Sequence, residues 1–178
     1  MQKPKILHSE ICAKSKLFKI EKLDLEFSNG TLSQYEIVRG SSNGAVLIVA
    51  VKADLTVLLI SEYAAGLDRY ELALPKGKID SGETILEAAN RELKEETGFG
   101  AHKLEHITSY SIAPSYFTHV THVVLAQDLY ECKLQGDEPE EIITSTWSLH
   151  ELSKLFARSD ITEARSIATL YHVRDLLC

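Results

Sequence analysis

Between Gly77 and Phe99 the chain reads GKIDSGETILEAANRELKEETGF, and the spacing within that stretch fixes a local geometry. Thr84 followed by Glu87 fits a capping box, in which each side chain satisfies an otherwise free backbone N–H. The pattern predicts a helix from there to about Thr97, with Gly98 as its left-handed stop. On such a helix Glu92 and Glu96 are four apart and lie one above the other on one face. Glu95, three after Glu92, sits on the neighbouring edge. Leu86 and Leu93 mark a different stripe, expected to pack on a sheet. Arg91 stands four before Glu95, where it can pair with and orient that carboxylate. Three carboxylates on one turn repel each other and call for a counterion. A hard divalent cation with oxygen ligands is the natural one, and Mg2+ often bridges protein carboxylates to substrate phosphates while keeping several waters. A solvated acidic face is the plainer reading of the glutamates taken alone.

Around this stretch the chain alternates strands and helices irregularly. Phe18 to Phe27 approximates the alternation of a strand, Ser28-Asn29-Gly30 supplies turn residues, and Leu32 to Val38 reads as the returning strand. Residues 1–42 are therefore expected to form a hairpin subdomain, followed by the main domain at 43–178. Ala45–Val51 and Thr56–Ser61 read as apolar strands around a Lys52-Ala53-Asp54 turn. Tyr63 to Gly82 reads as irregular, punctuated by Gly66, Pro75, Gly77 and Gly82. Further strands are expected at Ile107–Ile112, Val120–Ala126 and Ile142–Trp147. Helices are expected at His150–Ala157 and from about Thr162 to Leu177, the latter with Ala164, Ile167, Ala168, Tyr171 and Leu176 near one face. The absence of regular βαβ alternation favours an α/β (α+β) mixed β-sheet sandwiched between helices over a doubly wound sheet.

Composition removes several classes. A 178-residue chain of 19.9 kDa is one domain's worth of core. Its net charge of −7 argues against broad duplex nucleic-acid binding, which relies on basic side chains at phosphates. It leaves open a small anionic ligand held by a local cation. Cys12, Cys132 and Cys178 are odd in number and far apart, which suggests reduced thiols in a cytoplasmic protein rather than a disulfide framework. The longest apolar run, Gly44 to Val51, falls short of the ~20 residues that span a bilayer. No signal-peptide pattern precedes it, so a soluble protein with no membrane partner is expected. The seven histidines show no zinc-ligand spacing.

The stretch also satisfies a longer pattern: Gly77, five residues, Glu83, seven residues, Arg91-Glu92-Leu93, one residue, Glu95-Glu96, one residue, Gly98-Phe99. At every defined position it resembles the box of the Nudix hydrolases. A chance match at a given start is on the order of 10⁻⁹ to 10⁻⁸ at average composition. The resemblance implies the Nudix fold, in which the box forms loop–helix–loop, and metal-dependent hydrolysis of a nucleoside diphosphate linked to another moiety. It implies Glu92 and Glu96 as metal ligands and Glu95 as a ligand or site carboxylate. The backbone carbonyl of Lys76 would be a further ligand. Gly77 would allow close approach, Arg91 would orient a glutamate, and Glu83 would tie loop to helix.

Features outside the box narrow the substrate. Gly136 to Glu141 is an acidic loop before a predicted strand. In the ADP-ribose pyrophosphatase branch of the family, a Glu-x-Glu pair in such a loop serves as general base and metal ligand, and Glu138 and Glu140 fit that spacing. Glu141 would replace either on a register slip. Pro114, sixteen residues after Gly98, resembles the same branch, while Tyr116 resembles the diadenosine polyphosphate branch and would stack on a base or ribose. Ser115 between them joins the substrate-binding candidates. One feature departs from the pattern: Glu62-Tyr63-Ala64-Ala65 lacks the arginine that the branch often carries four after the glutamate. Arg69 or Arg39 would have to replace it.

The likeness extends from the amino-terminal hairpin to the acidic loop. It implies hydrolysis of ADP-ribose, NADH and diadenosine triphosphate to AMP, Mg2+ as cofactor with Mn2+ as an alternative, and a homodimer whose amino-terminal strands reach the partner. Phe18 or Tyr35 would then either line an adenine pocket or pack within the hairpin. Competing expectations are hydrolysis of nucleoside triphosphates or capped RNA, and a non-catalytic nucleotide sensor. The box has lost none of its carboxylates, which weighs against the sensor.

Overall fold

The computed structural model describes residues 2–40, 43–136 and 138–178. Two compact units emerge from the contacts: Met1–Gly44 with Ser111–Thr121, and Ala45–Tyr110 with His122–Cys178. Residue 42, where the domain boundary is expected, lies outside the described residues.

In the first unit, strands β1 (Lys5–Lys14), β2 (Lys19–Glu26) and β3 (Leu32–Arg39) form an antiparallel sheet in the order β1-β2-β3. The expected hairpin corresponds to β2 and β3, and β1 extends it to three strands. β1 carries no period-two signal because all ten of its side chains are exposed and both faces mix polar with apolar residues. At the β2–β3 turn Gly30 N–H donates to the Phe27 carbonyl at 2.9 Å. Segment 111–121 joins β3 through Val38 N–H to the Tyr116 carbonyl, at 2.7 Å.

In the second unit the sheets are covered on both sides. Strand β4 (Ala45–Ala50) has buried side chains on both of its faces, as expected of an unbroken Val/Leu/Ile run. Leu47 and Val49 join one core cluster, with Val57 and Leu59 of β5 (Thr56–Ala64) and Leu170 and Val173 of α3 (Ala164–Leu177). Val46, Ile48 and Ala50 join the other, with Ala88, Ala89 and Leu93 of α1 (Ile85–Thr97). Helix α1 therefore covers one face and α3 the other, together with the short α2 (Leu152–Leu155). Strands β6 (Arg69–Ala73) and β7 (Lys76–Lys78) lie in the region expected to be irregular. β6 pairs with β5, and β7 with β4, so the punctuating Pro75 joins two short strands rather than breaking a loop. β8 (Phe99–Ser111), β9 (Val120–Glu131) and β10 (Ile143–Ser148) complete the sheets, with orders β7-β4-β9-β8 and β10-β5-β6. Mixed sheets packed with helices match the expected fold class.

Helix α1 starts and stops as its sequence dictates. Thr84 and Glu87 form the reciprocal capping box, and Gly98 closes the helix at φ 78°, donating its N–H to the Lys94 carbonyl. Its packing stripe differs from expectation by one position. Leu93 is fully buried, but Leu86 is exposed, and Ile85 and Ala89 carry the stripe at the i, i+4, i+8 spacing. The buried face of α3 also differs. It is Ser166, Thr169, Leu170 and Val173, while Tyr171 and Leu176 are exposed. The polar residues Ser166 and Thr169 hide that face from a hydrophobic-pattern reading.

Candidate active site

Strand β7 and the carboxylate face of α1 meet in a cleft of about 720 Å³ lined by residues of the second unit. Lys76, Gly77, Arg91, Glu92, Glu95, Glu96 and Glu138 all line it.

Arg91 organises the acidic side. Its Nε donates to Glu83 Oε1 at 2.7 Å and its Nη2 to Glu83 Oε2 at 2.9 Å, a bidentate fork. Nη1 donates to Glu92 Oε1 at 2.8 Å and to Glu95 Oε2 at 2.9 Å, and Nη2 also reaches the Lys78 carbonyl at 2.9 Å. These bonds, Glu83 first, hold the guanidinium more firmly protonated than usual. Glu83 additionally accepts from Asp80 N–H at 3.0 Å, so one carboxylate joins the loop to the helix.

Glu96 lies deepest, at 3% exposure, and accepts from Lys76 N–H at 2.8 Å. Burial pushes its carboxyl up to about 8, against the pull of the Lys76 amide and ammonium. Burial likewise raises Glu92 to about 6; Arg91 opposes this, and the charges of Glu95 and Glu138 add to it. Gly77 is pressed against Glu92: a Cβ there would lie 1.9 Å from the Glu92 carboxyl carbon. Glu138 reaches the cleft from the acidic loop, where a Cβ on Gly136 would lie 2.7 Å from its Oε2.

Carboxylates gathered around a peptide edge, with no thiol or imidazole in the lining, form a donor set for a hard cation. Among the described residues no group of three or more His, Cys, Asp or Glu is preassembled as a metal cage. Arg91 and the Lys76 amide hold the oxygens instead.

The remaining expected residues are dispersed. Glu140 accepts from the Tyr70 hydroxyl at 2.7 Å and lines an adjoining groove together with Glu95, Glu138 and Glu141. Arg69 is paired with Glu71 at 2.9 Å and with the Thr162 hydroxyl at 3.2 Å, and does not line the cleft. Arg39 belongs to the first unit, where it pairs with Glu21. Pro114, Ser115 and Tyr116 belong to that unit too, and Ser115 and Tyr116 share a hollow of about 560 Å³ with Tyr35. Asp137 of the acidic loop lies outside the described residues. Several lining residues escaped the sequence reading, Glu62 and Arg165 among them. Glu62, seen there only as the neighbour of a missing arginine, pairs with the Lys76 ammonium. Arg165, at the start of α3, had no local signal to mark it.

Comparison with known proteins agrees with this geometry. Residues 42–170 match the NUDIX domain model, and residues 4–36 match the NudE-type Nudix hydrolase N-terminal domain. The chain is 48% identical over 177 residues to the ADP compounds hydrolase NudE of Escherichia coli (strain K12), covering 99% of this chain and 95% of that one. It is 30% identical over 177 residues to an ADP-ribose pyrophosphatase of Bacillus subtilis (strain 168), covering 96% and 95%. A crystal structure of ADP compounds hydrolase superposes with a TM-score of 0.93 at 48% identity, covering 99% of this chain and 95% of that one. The box, the fold around it and the amino-terminal sheet thus agree with one another: the chain belongs to the Nudix hydrolase family.

Proposed function

We propose that this chain is a pyrophosphohydrolase of ADP-linked compounds, cleaving ADP-ribose, NADH or diadenosine triphosphate to AMP and a second phosphate-bearing product. The observation that carries this reading is the gathering of Glu92, Glu95, Glu96 and Glu138 around the Lys76–Gly77 peptide in one cleft. The relatives named for ADP compounds and ADP-ribose support the substrate class. Glu92, Glu95, Glu96 and the Lys76 carbonyl would hold Mg2+, with Glu140 as a further ligand and Mn2+ as a substitute. A bound divalent ion neutralises charge on the diphosphate and lowers the pKa of an attacking water.

The protein's own groups have distinct tasks. Glu138 takes the proton from the water that attacks phosphorus, with Glu140 as the second candidate base on the same loop. As that P–O bond forms, the bond to the bridging oxygen breaks and the second phosphate departs with the electron pair. Arg91 positions Glu92 and Glu95 and stays out of the reaction, since its donors are directed at protein acceptors. Gly77 lets Glu92 lie against the backbone. The hollow holding Ser115, Tyr116 and Tyr35 offers aromatic faces suited to a nucleobase.

The chain works as a cytoplasmic homodimer on small molecules, without nucleic acid or membrane partners. The exposed apolar side chains Ile6, Leu7 and Ile11 of β1 support pairing through the amino-terminal sheet. The net charge of −7 disfavours capped RNA. No helix among the described residues is long and apolar enough to cross a membrane.

The test is turnover with Mg2+ of ADP-ribose, NADH, diadenosine triphosphate and a nucleoside triphosphate, with products separated by chromatography. AMP from the first three and little product from the last is the expected result. Pyrophosphate release from the triphosphate alone would overturn the substrate assignment. Nucleotide binding without any turnover would favour a sensor.

A further inference from the structure

The acidic loop carries Glu138 and Glu140 on either side of Pro139, and the fold treats the two differently. Glu138 lines the cleft with Glu92, Glu95 and Glu96, and lies against Gly136, where an added Cβ would meet its carboxylate. Glu140 does not line the cleft. It borders the adjoining groove and accepts a hydrogen bond from the Tyr70 hydroxyl at 2.7 Å. We infer that Tyr70 is a positioning residue: by holding Glu140 outside the cleft, its hydroxyl leaves Glu138 the place of the base.

The two glutamates are chemically equivalent rivals. They stand two positions apart on one loop, and both border Glu95 in the groove. Bringing Glu140 inward beside Glu92, Glu95 and Glu96 while Glu138 stays would add one more like charge to a site already crowded with them. Pro139 between them has a fixed φ, so a turn of the loop that carries Glu140 inward also moves Glu138. A bond that anchors one of the pair therefore decides which one faces the box. Glu140, the further ligand and second candidate base, enters only when that bond is released.

The mounting of Tyr70 suits this task. Tyr63 of β5 and Tyr70 of β6 are direct cross-strand partners, and their rings meet edge-on at 5.7 Å and 67°. The Tyr63 hydroxyl donates to Asp68, which sits in the hairpin turn at φ 52°, a left-handed conformation that Asp adopts more readily than most residues. The turn thus fixes Tyr63, and Tyr63 fixes the ring of Tyr70. Strand β10 enters its sheet opposite Ser61 of β5, which brings the acidic loop before it to the same end of the hairpin. Tyr70 is 52% exposed, and neither tyrosine joins a core cluster. Core packing does not account for this ring; a charge-assisted bond to the loop does.

This inference rests on the pyrophosphohydrolase reading with Glu138 as base, and its test separates the two. Wild type and Glu138→Gln are first assayed on ADP-ribose with Mg2+. No AMP from wild type, or a Glu138→Gln variant as active as wild type, overturns that reading and the inference with it. With both established, Tyr70→Phe is made in each background; it keeps the ring against Tyr63 and removes only the hydroxyl. In wild type we expect kcat to fall roughly three- to ten-fold, the weight of one hydrogen bond in the position of the loop, with KM and melting temperature nearly unchanged. In Glu138→Gln the same substitution should raise kcat at least three-fold, because the released Glu140 takes the vacant place. Adding Glu140→Gln should abolish that gain. A Tyr70→Phe substitution that lowers the activity of Glu138→Gln or leaves it unchanged overturns the inference alone, since a merely structural tyrosine cannot produce opposite effects in the two backgrounds. So does a gain that survives Glu140→Gln.

Discussion

Gly77→Ala separates the site from the fold with one methyl group. A Cβ at residue 77 would lie 1.9 Å from the Glu92 carboxyl carbon and 2.0 Å from Oε1, where ordinary contact begins near 3.4 Å. The carboxylate must therefore retreat by about 1.5 Å. It can do so because it is the free end of a side chain, while the Glu92 backbone stays in α1. The retreat breaks the 2.8 Å bond from Arg91 Nη1. A bond to a charged group contributes roughly 1.5–3 kcal/mol, and part of that is recovered when the carboxylate finds water, so stability should fall by about 1–2 kcal/mol. Function should suffer more. A displacement of ~1 Å in a catalytic constellation can cost about 10²-fold. We expect Gly77→Ala to unfold cooperatively in urea a little earlier than wild type, with Mn2+ affinity down by at least ten-fold and kcat/KM for ADP-ribose down by about 10²-fold. Gly66→Ala, where a Cβ meets nothing within 4 Å, is the control and should match wild type in all three. Wild-type Mn2+ affinity and turnover in Gly77→Ala would refute the assignment of Glu92 as a ligand held against the backbone.

Glu96→Gln should abolish turnover, by more than about 10²-fold, yet stabilise the metal-free protein. A carboxyl raised to about 8 when folded and near 4.5 when unfolded binds its proton more tightly in the native state. Stability is then full below pH ~4.5 and is lost as pH rises toward 8, by up to about 3 kcal/mol at pH 7. Urea melts in chelator from pH 5 to 8 should slope downward in wild type and be flatter in Glu96→Gln; parallel curves would contradict this. Glu138→Gln should lower kcat by about 10²–10⁴-fold at nearly unchanged KM, as loss of a general base does. Glu140→Gln should lose much less, since Glu140 is bonded to Tyr70; the reverse ranking in steady-state kinetics would exchange their roles. Arg91→Lys keeps the charge but not the fork. Thermal melts should show it about 1–3 kcal/mol less stable, with kcat reduced through the loosened Glu92 and Glu95.

How much of this was legible in the sequence depends on how local each signal is. The box helix was read almost to the residue, because its cap, its stop and its carboxylate face are all encoded within fifteen positions. The strands that escaped are those whose partners lie elsewhere. β1 has no buried face to impose alternation, and β6 and β7 are short strands on either side of Pro75, paired with β5 and β4 respectively. Helix α3 was found, but its inward face was misread, since Ser166 is buried by hydrogen bonding rather than by hydropathy. Arg165 could not be found for the same reason. Its place in the cleft depends on bonds from segment 160–166 to Glu71 of β6 and to Leu74 just after it, some ninety residues earlier in the chain. Spacing along one helix is written in a sequence; which helix end is laced beside which strand is not.

The electrostatics of α1 explain why that helix is built at apparent cost. Glu92 and Glu96 are buried, and burial raises both carboxyls above the ordinary carboxylate value. A chain selected for stability alone would place apolar residues there, as removing a buried charge without loss of packing is often neutral or favourable. Arg91 offsets only part of the burden, since its single charge is shared among Glu83, Glu92 and Glu95 and none of its bonds goes to Glu96. A divalent cation in the cleft would supply the missing charge and convert the strain into binding free energy. Metal affinity and folding stability should then be linked, with ligation raising stability by RT ln(1 + [M]/Kd). On this argument the gain from added Mn2+ should be greatest near neutrality for wild type, where the buried carboxylates are ionised and the repulsion among them is largest, and smaller at every pH for Glu96→Gln. A wild-type stability gain on adding Mn2+ that does not grow from pH 5.5 to pH 7.5 would show that the buried glutamates are not where the ion acts.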